Sequence, residues 1–105
     1  MSDGASRTGS GTLEFADGVL RVRGSVKIGN AQHLADAGTL LIKRAGAVTV
    51  DLAEASEVDS SALAVLFAWQ RVQQMNATTL SVRAAPETLQ SLARVYGVTD
   101  QLTWI

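Results

Sequence analysis

The feature that most constrains this chain is a run of short polar residues joining two apolar segments. Val48-Thr49-Val50-Asp51-Leu52 leads to Val58-Asp59-Ser60-Ser61, and the stretch from Ala62 to Met75 is apolar in most positions. The first segment is partly β-branched and alternates little, which suits a strand at the centre of a sheet or covered on both faces. The second is long enough for four helical turns. A strand handing over to a helix through Asp-Ser-Ser puts Ser60 or Asp59 at the helix head, where the peptide dipole is positive. A hydroxyl held there can cap the helix, touch a partner or accept phosphate.

On either side the punctuation is equally regular. Ala16-Asp17-Gly18 separates Thr12–Phe15 from Val19–Val26, and Asp-Gly between two such runs predicts a hairpin because its turn needs positive φ. Asn30 is placed to cap a helix over 31–45, with Leu34, Ala37 and Leu41 at helical spacing and Gly46 as its stop. Asn76 is placed to end the Ser60 helix in the left-handed conformation. Thr79–Ala84 reads as a strand. Pro86 suits the first turn of a helix carrying Leu89, Leu92, Ala93 and Tyr96, with Gly97 as its stop. A last short helix is expected over Thr99–Thr103, bringing Leu102 and Trp104 onto the body. The order β-β-α-β-α-β-α-α contains two strand–helix–strand crossovers, so the fold class is α/β or α+β with parallel pairs in one sheet.

The chain has 105 residues, which suits one domain, here 12–105. Residues 1–11 lack the basic start and apolar centre of a signal peptide and read as a disordered lead-in. No cysteine is present, so disulfides and thiolate metal sites are excluded. A net charge of −1 gives no support for bulk binding to nucleic acid or an anionic bilayer. The longest apolar run, Ala62–Trp69, is eight residues, against about 20 for a membrane span. Direct membrane insertion is therefore not expected.

Catalytic constellations are equally absent. His33, the single histidine, has no cysteine or suitably spaced acid to form a metal site. Ser60 and Ser61 lack the Gly-x-Ser-x-Gly elbow, and no glycine-rich phosphate cradle occurs. Asp51, Glu54, Glu57 and Asp59 read as solvated charges along the strand-to-helix connection. Their consequence is electrostatic. Phosphate at Ser60 gains about 0.3–1 kcal/mol from the helix head and adds about 1.5–2 negative charges beside carboxylates. No catalytic residue, metal or cofactor is expected.

The helix after Ser60 is apolar around its circumference, which raises two readings. Neighbouring helices cover the surplus, or Val65 and Trp69 form a stripe that docks on another protein.

The hairpin start, the Val48–Leu52 strand, Asp59-Ser60-Ser61-x-Leu63 heading an apolar helix, and Leu89-x-x-Leu92-Ala93-Arg94-x-Tyr96-Gly97-Val98 together resemble the STAS domain family. The resemblance implies a four-stranded mixed sheet with helices mainly on one face. It also implies a cytoplasmic, non-enzymatic binding role, with Asp59, Ser60, Ser61, Val65 and Trp69 at the partner surface. The small size, Arg94 and the Tyr-Gly-Val ending are similar to the MlaB-like branch. That branch binds the ATPase of an ABC transporter moving phospholipid between bacterial membranes, and would bring the chain to the inner-membrane face. The Asp-Ser-Ser triplet is also similar to anti-sigma-factor antagonists, whose serine, here at Ser60, is phosphorylated by a partner kinase. Ala62 departs from the glycine common after the motif in both branches.

Overall fold

The computed structural model describes residues 11–105, so the lead-in lies outside the described residues except for Gly11, which is half-buried. Strand β1 (Thr12–Ala16) and β2 (Val19–Val26) form the expected hairpin, closed by Asp17 at φ 53° and Gly18 at φ 77°. Both turn residues are left-handed, which is the backbone that twists with the flanking strands. Helix α1 (Ala31–Ile42), β3 (Val48–Val58), α2 (Ser61–Met75), β4 (Leu80–Arg83) and α3 (Glu87–Val95) follow. A 3-10 turn at Thr99–Gln101 then leads into β5, Thr103–Trp104.

Among the described residues the sheet has five strands in the order β1-β2-β3-β4-β5, antiparallel between β1 and β2 and parallel elsewhere. The fifth strand corrects the four-strand expectation and shortens the expected last helix to the 3-10 turn over Thr99–Gln101. Leu102 is buried and Trp104 half-buried with exposed Thr103 between them, a period of two that fits a strand. The Ile105 amide extends the pairing by donating to Val82 O at 2.8 Å, and Trp104 Nε1 donates to Thr99 O at 2.8 Å.

Alternate strand residues divide the molecule into two sides. Leu20, Val22, Val48, Val50, Leu52, Leu80 and Val82 are buried in one core with Leu34, Ile42, Leu66 and Leu89 from the helices. The intervening positions carry Glu14, Arg23, Asp51 and Arg83, the polar side of the sheet. Helices thus cover one face.

Three boundary expectations change. Helix α1 ends at Ile42, and its buried residues are Ala31, Leu34, Ala35, Gly38 and Ile42, so Leu41 faces outward. Asn76 is not left-handed (φ −91°); Ala77 takes that role at φ 56°. Strand β3 runs to Val58, six residues beyond Leu52, with two irregularities in its register against β2. That extension carries the chain past the end of β4, whose pairing stops at Asp51 opposite Arg83. Ser60 is thereby delivered beside the loop between β2 and α1.

Candidate functional site

The head of α2 is built by Asp59, not by the serine. Asp59 Oδ1 accepts the Ser61 amide at 2.8 Å, and its Oδ2 accepts the Ile28 amide at 3.1 Å. One carboxylate therefore ties the β3–α2 connection to the β2–α1 loop. Ser60 has helical backbone angles (φ −61°, ψ −20°) and its side chain makes no capping bond. Its residue is exposed and its hydroxyl has no partner among the described residues. The site presents an unengaged hydroxyl on a braced corner, at the positive end of a 15-residue helix.

Desolvation by itself raises the Asp59 carboxyl, but the amides of Ser61 and Ile28, together with the Ser61 hydroxyl and Lys27, outweigh it and hold the group below its ordinary value. Asp51 is lowered chiefly by its 2.8 Å bond from Arg83, with the Ala53 amide assisting. Depressed carboxyls stabilise the fold above their unfolded values, and that contribution disappears as pH falls through the folded ones. Thermal unfolding followed from pH 7 downward is therefore expected to show falling stability below about pH 4. Asp51→Asn and Asp59→Asn should each flatten that dependence. An unchanged acid limb in both variants overturns the assignment.

The remaining acids of the sequence motif are also partnered. Glu54 meets Arg23 at 2.9 Å and Glu57 meets Lys27 at 2.9 Å. Asp51, Glu54 and Glu57 lie on β3 itself rather than in a loop, and only Asp59 belongs to the connection. No group of three or more His, Cys, Asp or Glu among the described residues is arranged to hold a metal. His33 is exposed on α1.

Val65 and Trp69 correct the expected docking stripe. They are 3% and 1% exposed. Trp69 lies against α1, where its Nε1 donates to Ala35 O at 3.1 Å and its indole occupies the space that a side chain at Gly38 would need. Helix α1 covers what looked like a surplus apolar face. The surface of α2 that remains open begins at Ser60 and includes Ala64, half-buried Ala68, Arg71 and Met75, residues three or four apart. Sequence reasoning passed over this lane because small residues register weakly in an apolar pattern. Ala62 is buried, so its methyl points away from any partner approaching Ser60.

A model of the MlaB-like STAS family, described as "Mlab, STAS domain", matches residues 12–103. The chain belongs to the STAS domain family. No curated protein matches its sequence. Among solved structures, the anti-sigma factor antagonist SpoIIAA in its unphosphorylated form shares 14% identity over 91% of this chain and 88% of its own, with a TM-score of 0.71. The Bacillus protein SpoIIAA in its phosphorylated form matches with 12% identity over 91% of each chain and a TM-score of 0.63. An anti-sigma factor antagonist from Mycobacterium paratuberculosis shares 20% identity over 90% of this chain and 83% of its own, with a TM-score of 0.68. At these identities the likeness is one of fold. No helix among the described residues is long and apolar enough to cross a membrane.

Proposed function

We propose that this STAS domain is a non-enzymatic accessory subunit that binds the ATPase of an ABC phospholipid transporter and helps maintain membrane lipid asymmetry. The observation that carries this reading is the match of the MlaB-like family model over 12–103, which includes the whole Asp59-Ser60-Ser61 corner. The corner suits recognition. Its hydroxyl is exposed and unengaged, its backbone is fixed by Asp59, and the small side chains of Ala64 and Ala68 beside it let another backbone come close. In this reading the complex places the chain in the cytoplasm at the inner-membrane face. Copurification tests it: a tagged chain expressed in its own host is expected to retain an ABC ATPase. Retention of a sigma-regulatory kinase and no ATPase overturns it.

A second reading, an anti-sigma-factor antagonist, draws on the free Ser60 hydroxyl and on the existence of SpoIIAA in both unphosphorylated and phosphorylated forms. It predicts a mass gain of one phosphate with kinase and ATP, abolished by Ser60→Ala. A kinase that binds the chain and leaves Ser60 unmodified removes this reading.

A further inference from the structure

The β2–α1 loop, Lys27 to Asn30, is held from several directions. Asn30, expected as a helix cap, turns its side chain back instead. Its Oδ1 accepts the Lys27 amide at 2.9 Å and its Nδ2 donates to Ser25 O at 2.9 Å. The amides of Asn30 and Ala31 close onto Lys27 O at 3.0 and 2.9 Å. Asp59 holds the Ile28 amide, and Lys27 Nζ meets Glu57 Oε1 across the same gap. This braced loop carries Ile28 with 83% of its surface exposed. A lone exposed apolar side chain is ordinary. One held on a fixed backbone beside an unengaged serine has had much of the ordering cost of an interface met in advance.

We propose that Ile28 anchors the same protein partner that the Ser60 corner engages, and that Asp59 couples the two contacts through its two oxygens. The proposal rests on the reading of that corner as a docking surface. Its occupant is a protein bearing an apolar pocket for Ile28, with hydrogen-bond donors or cations facing Ser60 and Glu57. Charge favours that occupant. Glu57 near the end of β3 and Asp59 just after it stand against Lys27, a local excess of negative charge that an anionic bilayer repels and a neutral or basic protein patch accepts. A charge added at Ser60 then acts twice, on the partner directly and on the carboxylate that positions Ile28.

The test uses the full chain with a photoreactive residue at position 28 or, separately, at exposed position 64, irradiated in cells. Both positions are expected to capture the same ABC ATPase or the same regulatory kinase. Titrated against that purified protein, Ile28→Ser should weaken binding at least tenfold with an unchanged melting temperature. In an Asp59→Asn background the same change should cost less than threefold. Binding of Ile28→Ser within twofold of wild type overturns the proposal, as does a position-28 adduct with lipid, with a second copy, or with nothing. If position 64 captures the ATPase or kinase and position 28 does not, Ile28 alone is excluded. If both capture one identified protein of another kind and Ile28→Ser weakens its binding, the transporter and kinase readings fall while the anchor stands.

Discussion

Replacing Trp69 by alanine is expected to cost about 3–5 kcal/mol of folding stability, a large share of the 5–15 kcal/mol typical of a small domain. The indole is 1% exposed and joins α2 to α1 through the Nε1 bond to Ala35 O. Removing it deletes apolar contact on both helices and leaves a cavity between them. Urea denaturation is the direct measurement, with a lowered midpoint and an unchanged slope. A variant within 1 kcal/mol of wild type contradicts the packing described above. Because the residue is interior, any loss of partner binding should track the unfolded fraction.

Gly38 supplies the complementary test. A methyl group there falls within contact distance of Trp69 Cε2 and Nε1, so Gly38→Ala is expected to destabilise by about 1–3 kcal/mol. Helix propensity alone predicts the opposite sign, a gain of about 1 kcal/mol for alanine. The two effects are separable by coupling: in a Trp69→Phe background, where the ring is smaller, Gly38→Ala should cost less. Stabilisation by Gly38→Ala in the wild-type background means that the helices do not approach as closely as the structure places them.

Gly38 also explains where sequence reading stopped. Its meaning depends on an indole 31 positions further along, a relation with no local periodicity. Without it, the apolar circumference of α2 could be assigned to a partner or to a neighbouring helix, and Val65 and Trp69 fell on the wrong side of that choice. Features fixed by neighbours in the chain were legible: Asp17-Gly18 as a turn, Gly97 as a left-handed stop after α3, and the polar handover before α2. The far half of β3 was not, because Ala53-Glu54-Ala55-Ser56-Glu57 has weak strand propensity and an irregular register, and its extension comes from pairing with β2. The division of labour at the corner was half legible. Asp59 or Ser60 was expected at the cap, and only the three-dimensional loop beside it shows why the carboxylate takes the backbone and leaves the hydroxyl open.

That open hydroxyl makes Ser60→Glu the variant with the largest expected effect on binding. The residue is exposed, so folding stability should change by no more than about 0.5 kcal/mol. Negative charge at the α2 head is favoured by about 0.3–1 kcal/mol, which offsets repulsion from Asp59 within the folded chain. A docked partner has no such compensation, since it must cover the new carboxylate next to one already committed to two backbone amides. Affinity for the partner should therefore fall at least tenfold, or about 1.4 kcal/mol, whereas Ser60→Ala, which removes only a hydroxyl, should fall by less. Raising the salt concentration should recover part of the loss, because exposed charges are screened over about 8–10 Å. Isothermal titration with urea melts on the same samples separates binding from folding. Equal affinity of wild type and Ser60→Glu, with both fully folded, means that Ser60 lies outside the interface and the corner is a structural cap.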